Sequence, residues 1–344
     1  MPIWDDEPTT ATSQPQSITQ RVRAGNALPI LSHSALFDLA LFGYEAFQRF
    51  YAGRIGFPYP NLPDVGQLAN YDRYTNRASD IACKEFYLEC LKNHIYREAR
   101  AAGVDADTLA EANAQVDRVG VTAFAHLLGY PRFDQAQTAP LQILANLPFK
   151  SYLTISITTF LEDALRRAGK EPLTRMCRWR GPIDAPEKDL WLIPDDYRPS
   201  EKQPLVYHLC GLDAHPQTGT PLPSSVALSE DDHLELLVNL AQDRGKQSAD
   251  RLPALVRGAL FEDVVLLGFR LDSWAFRGLY YGLLRQTGRE NDRRGICAIQ
   301  LPPDERQKQE RYLQGYLDRE ARLDIFWGDL YEYARELKGD ESPI

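Results

Sequence analysis

Short apolar runs recur along the chain at residues 27–31, 152–156, 204–209, 263–268 and 296–301, and turns and helix-patterned stretches separate them. Runs this short, apolar on both faces, suit strands buried in a parallel sheet. Their alternation with helical pattern predicts an α/β fold. The first unit is the clearest. Ala27-Leu28-Pro29-Ile30-Leu31 passes through Ser32-His33-Ser34 into the helical pattern of Ala35-Leu36-Phe37-Asp38-Leu39-Ala40. Strand, short polar turn and helix is how a Rossmann-like nucleotide-binding sheet begins.

Between the first and second runs the pattern turns helical. Residues 58–144 are rich in Ala, Leu, Glu and Arg, with Gly103 as a helix stop and Asp105 and Asp107 as caps for the next helix. That length exceeds a plain crossover and predicts a helical insertion subdomain. Residues 170–203 hold Pro172, Pro182, Pro186, Pro194 and Pro199 and read as a long irregular connection. Ser229-Glu230-Asp231-Asp232 starts a helix with a cap and an acidic first turn. Helices at 303–317 and 330–337 flank a short strand at 323–327. Residues 1–19 read as a disordered leader, which leaves one ordered domain over residues 20–338.

Composition narrows the function classes. The 344 residues carry a formal net charge of −9, which disfavours unaided binding to nucleic acid or anionic lipid. No apolar run reaches the roughly 18 residues of a membrane span, and the first 20 residues lack the parts of a secretion signal. Cys83, Cys90, Cys177, Cys210 and Cys297 are scattered, with no CxxC pair. That predicts buried thiols in a reducing cytoplasm, with neither a disulfide framework nor a metal site.

Ligands of open parallel sheets sit beyond the carboxyl ends of the strands. The residues to weigh are therefore Ser32-His33-Ser34, Thr154 to Thr158, His208 to Asp213 and Gly268 to Asp272. GxGxxG, GxxxxGK[ST], HExxH and GxSxG are all absent.

Four stretches nonetheless resemble the signature of the sirtuin-like family, in that family's order. Residues 152–165 (YLTISITTFLEDAL) are similar to its Y-[IV]-T-T-N-Y-D-x-L-[LI]-E-x-A-L, and 204–211 (PLVYHLCG) to its V-x-x-L-H-G strand. Residues 225–232 (SVALSEDD) resemble S-[LI]-V-L-T-E-D-D-Y, and 267–277 (LGFRLDSWAFR) resemble L-G-[YF]-S-L-x-D-W-D-F-R. The likeness is to the bacterial branch found in conflict and anti-phage systems. It implies a Rossmann-like domain with a helical subdomain, an NAD pocket between them and, in active members, cleavage of the NAD glycosidic bond. By the same resemblance Ser156 stands where the family has Asn, Thr158 where it has Asp, and Cys210 where it has the catalytic His. Leu31-Ser32-His33-Ser34-Ala35 replaces a glycine-rich turn, and Arg270 replaces a Ser. These departures imply a degenerate site.

The candidate catalytic residues are thus Ser156, His208 and Cys210. The candidate cofactor-binding residues are Ser32, His33, Ser34, Asp38, Thr154, Thr158, Gly211, Gly268 and Arg270. His208 is either a base working with Asp213 or a hydrogen-bonded wall residue. Cys210 is either a nucleophile or a small buried residue. Arg270 is either a phosphate fork or a surface ion-pair partner, and His33 either greets an anion at a helix start or merely fills a turn. A Ser156–His208–Asp213 triad lacks a nucleophile elbow. The aromatic group Phe42, Tyr44, Phe47, Phe50 and Tyr51 reads as core. The expectation is a cytoplasmic sensor of NAD or ADP-ribose, or an interaction module, with a protein partner and possible self-association. The alternative is an active NAD hydrolase with reassigned catalytic groups.

Overall fold

A computed structural model describes residues 15–41, 43–181, 188–242, 251–270, 274–284, 296–301, 310 and 322–338. The expected helix at 303–317, Phe42, Asp272 and leader residues 1–14 lie outside the described residues, apart from the single position 310. Seven strands form one parallel sheet: β1 Ala27–Leu31, β2 Ser151–Thr154, β3 Leu173–Met176, β4 Leu205–His208, β5 Asp263–Leu267, β6 Ile296–Leu301 and β7 Arg322–Trp327. Their order is β3-β4-β2-β1-β5-β6-β7. The chain runs outward from β1 in one direction, then returns to β1's other side at β5. The carboxyl ends of β1 and β5 therefore flank a topological switch point. This is the expected α/β Rossmann-like architecture.

β1, β4, β5 and β6 are buried along their whole length, as their continuous apolar runs require. Pro29 sits in the central strand without breaking it. Ser32 N bonds Leu267 O of β5 and Ile155 N bonds Leu31 O, so odd-numbered β1 residues face β2. The β1–β2 ladder begins only at Ile30, so the N–H that proline lacks has no ladder bond to make.

Helices line both faces. α1 Pro15–Arg23, α2 His33–Ala40, α8 Ala139–Asn146, α9 Phe160–Arg167 and α14 Leu330–Lys338 cover one side, burying Ile18, Leu36, Leu144, Leu161 and Leu337 with Val206 and Val265. α1 takes in residues 15–19, which composition assigned to the leader; Ile18 and Val22 are what anchor it. On the other face lie α11 Glu230–Gln242, α12 Ala254–Ala259 and α13 Trp274–Leu279, over Leu28, Leu153, Tyr207 and Leu266. The short α10 Lys188–Trp191 contacts β3.

A separate helical layer holds α3 Tyr44–Ile55, α4 Val65–Thr75, α5 Asp80–Ala101, α6 Ala106–Ala114 and α7 Val121–Leu127 around Phe47, Tyr51, Tyr87, Leu91 and Phe124. Its core starts before residue 58, and α8 belongs to the sheet instead. Tyr44, Phe47, Phe50 and Tyr51 all pack into this core. Asp64, Ser79 and Asp105 cap α4, α5 and α6 through their side chains, and Gly103 (φ +81°) follows α5 in the left-handed conformation. β3 breaks the expected irregular stretch. It is an edge strand of four residues in which burial alternates, too short to announce itself between prolines.

Candidate functional site

Polar side chains gather at the carboxyl edge of the sheet. Thr154 ends β2 with its hydroxyl turned inward, donating to the Leu31 carbonyl (3.1 Å) and accepting from Ser156 N (2.9 Å). Ser156 is fully buried. Its Oγ accepts from Thr158 N (3.2 Å), lies 2.9 Å from Thr158 Oγ1, and lies 3.0 Å from His33 Nδ1. One hydroxyl therefore joins the exits of β1 and β2.

His33 opens α2 with its ring edge-on to Tyr44, centroids 5.3 Å apart, and near Phe37. Burial pushes the imidazole down to about 4, so it is neutral at pH 7. Its Nε2 is buried with no hydrogen-bond partner. An orphaned polar atom of this kind costs about 1–3 kcal/mol and marks a place where water or a ligand belongs.

Ser32 caps α2, accepting from Ala35 N (3.0 Å) while donating to the Gly268 carbonyl (2.7 Å), and its hydroxyl lies 3.1 Å from that of Ser34. Gly268 has φ +70°, and a Cβ there would lie 2.2 Å from Ala35 Cβ. The loops flanking the switch point are thus in direct contact. Arg270 is exposed two residues further on. Asp38 faces outward from α2 and accepts from Tyr44 N.

His208 ends β4 in full burial. Nδ1 donates to the Ser156 carbonyl (2.7 Å), and Nε2 lies 2.8 Å from Glu162 Oε1, which also accepts from Thr174 Oγ1 (2.9 Å). The carbonyl only accepts, so Nδ1 carries a proton toward Ser156, and Nε2 shares a proton with Glu162. Burial alone would lower its pKa, but the charge and hydrogen bond of Glu162 outweigh burial and raise it. Both nitrogens are spent inside the protein. His208 meets the carbonyl of Ser156 rather than its hydroxyl, and the Asp213 carboxylate accepts from Val121 N. The three residues are neighbours without forming a relay. Burial pushes Asp213 up to about 6.

The linkage sign for His208 is definite. A folded pKa above the unfolded one contributes stability in full below about 6.5, lost as pH rises through the raised folded value. Urea midpoints measured from pH 6 to 9 should fall in the native protein and fall less in His208→Gln. Equal slopes would show that the imidazolium contributes nothing.

Cys210 lies beyond β4, its thiol pushed up to about 12 by burial. Its Sγ is 3.9 Å from His233 Nε2, while His233 Nδ1 donates to Ser229 O (2.8 Å). Both border an apolar cavity of about 20 Å³, walled also by Ile155, Leu209, Leu236 and Leu279. That is room for about one water. Gly211 makes the turn at φ +81°.

Neither Glu162 nor His233 was among the candidate site residues read from the sequence. Glu162 left a trace: it is an acid on the buried face of α9, among Phe160, Leu161, Ala164 and Leu165. Among the described residues no group of three or more His, Cys, Asp or Glu is placed to hold a metal ion, and no helix is long and apolar enough to cross a membrane.

A wholly parallel sheet with its polar groups at a switch point defines a Rossmann-like α/β protein. Residues 150–319, from β2 through β6, match the family model of the SIR2-like domain, which supports a sirtuin-like family, and that family is NAD-related. The search of curated proteins gave no match.

Proposed function

We propose that the chain binds an NAD- or ADP-ribose-type nucleotide at this edge without cleaving it, as a sensing or interaction module of a prokaryotic conflict system in the cytoplasm. The observation that carries the reading is the closed state of His208 and Cys210, the titratable groups among the candidate catalytic residues. A general base works best with a pKa near the operating pH and within reach of the proton it takes. His208 has both nitrogens engaged by Ser156 O and Glu162, and the Cys210 thiol stands at about 12. Neither position supplies a base at pH 7.

The donor set fits a nucleotide. His33 carries an orphaned Nε2 at the carboxyl end of β1, with the Ser34 hydroxyl beside Ser32. These two would hold polar atoms of the phosphates or ribose, with Arg270 at the rim. When bound, NAD would supply a glycosidic bond to a cationic leaving group; the reading is that this bond stays intact. Stable association with a protein partner, or of copies of the chain, fits the interaction role.

A nucleotide that binds only the folded state raises apparent stability, by about 2.7 kcal/mol at a hundredfold excess over Kd. Thermal unfolding with NAD and with ADP-ribose should therefore shift upward, and His33→Phe should remove the shift. An unchanged midpoint with both nucleotides at millimolar concentration would end this reading.

One observation favours a second reading, an active NAD hydrolase with reassigned groups. His33 Nδ1 lies 3.0 Å from Ser156 Oγ, a distance at which an imidazole orients a hydroxyl. That version requires NAD loss that disappears in Ser156→Ala.

A further inference from the structure

α11 presents three faces by helical spacing. His233, Leu236, Leu237 and Leu240 point at the cavity beside Cys210. Leu234 and Val238 are exposed. Asp232, Glu235 and Asn239 point at the segment after β3 and at the helical layer. Asn239 Nδ2 donates to Trp179 O (2.8 Å).

That third face carries a buried ion network. Lys84, on α5 and almost wholly buried, donates from Nζ to Asp80 Oδ2 (2.9 Å) and Asp232 Oδ2 (3.1 Å). Arg180 donates to Asp80 (2.6 Å), Asp232 Oδ1 (3.0 Å) and Glu235 (2.9 Å). The Trp179 ring lies beside both cations, 4.9 Å from Lys84 Nζ and 4.6 Å from the Arg180 guanidinium. Tyr74 of α4 donates to Asp231 (2.7 Å). Charges thus hold α11 from the helical layer, through Lys84, and from the segment after β3, through Arg180, whereas its apolar face packs toward α13 and the cavity beside Cys210.

The two attachments differ in kind. Fully engaged, a buried charge network has one favoured geometry; with a partner removed, it leaves uncompensated charge and favours a different arrangement. The face opposite is apolar apart from the long Cys210 Sγ–His233 Nε2 contact (3.9 Å), so sliding there breaks one weak polar contact only. We infer that α11 gates the partly open Cys210–His233 cavity, its position set by the Lys84–Arg180 network. A ligand or partner that rearranges the helical layer would then open the sheet's edge. The motion does not depend on which ligand enters; only the identity of that ligand rests on the nucleotide reading.

The test uses the full chain and N-ethylmaleimide, with labelling at each cysteine followed by peptide mass mapping. Arg180→Gln and Glu235→Gln each alter a half-exposed member of the network, so the fold should survive both. Each should speed labelling of Cys210 at least tenfold, while Cys90 in the helical core and Cys297 in β6 keep their native rates. Unchanged Cys210 labelling in both variants would overturn the gate, and so would parallel acceleration at all the cysteines, which reports general loosening. NAD is then added to each sample. Fast Cys210 labelling in the variants that NAD does not alter would leave the gate standing and count against the nucleotide alone.

Discussion

Replacing Asp232 with alanine should cost about 3–5 kcal/mol of folding stability, the range for removing one partner of a buried ion pair. The carboxylate is fully buried, and each oxygen is used. Oδ1 accepts from Arg180; Oδ2 accepts from Lys84 and from the backbone N–H groups of Leu228 (2.9 Å) and Ser229 (3.1 Å). Ser229 Oγ accepts from Asp232 N in return (3.1 Å), closing a capping box at the start of α11. Alanine would strand Lys84 in the interior with only Asp80 and leave two buried N–H groups unpaired. The urea midpoint reads the loss. Asp231→Ala, on an exposed neighbour, should cost under about 1 kcal/mol. A loss of that small size at Asp232 would mean that the network does not hold α11.

Gly211→Ala should be nearly as damaging, at about 3 kcal/mol or more. Its φ of +81° is strained for any residue with a Cβ, and that Cβ would lie 2.0 Å from the Ser225 carbonyl oxygen, a backbone atom with little freedom to withdraw. Gly103 is the control. It has the same φ of +81° but nothing within 4 Å of its would-be Cβ. Gly103→Ala should therefore cost only about 1 kcal/mol, the conformational part alone. Equal losses at the two glycines would show that the contact with Ser225 is soft.

The fold was legible because its signals are local. A buried parallel strand must be apolar on both faces, so β1, β4, β5 and β6 stand out as uninterrupted runs. Gly103 and Asp105 mark helix ends by their own chemistry. β3 was not legible, since an edge strand needs only half its residues buried, and Pro172 and its neighbours read as loop. The start of α1 was hidden because Ile18 and Val22 acquire meaning only when a sheet lies beneath them.

The site divides in the same way. Strand–turn–helix pattern put Ser32, His33, Thr154, Ser156, His208 and Gly268 at one edge, because the ends of parallel strands are readable along the chain. Pairings across the chain were not. His33 and Ser156 are 123 residues apart, and His208 and Glu162 are 46 apart. Periodicity gives the face a side chain occupies, never the partner it finds there. Lys84 reads as an ordinary surface lysine of a long helix until Asp232 and Trp179 are brought over it.

A mass balance on NAD separates binding from cleavage. Protein and NAD are mixed at equal concentrations well above the calorimetric Kd, incubated for hours, and the NAD and nicotinamide are then separated by chromatography and quantified. Saturable binding with all the NAD recovered intact is the expected result. Release of nicotinamide in proportion to protein, absent in Ser156→Ala, would contradict it and establish a hydrolase built on His33 and Ser156.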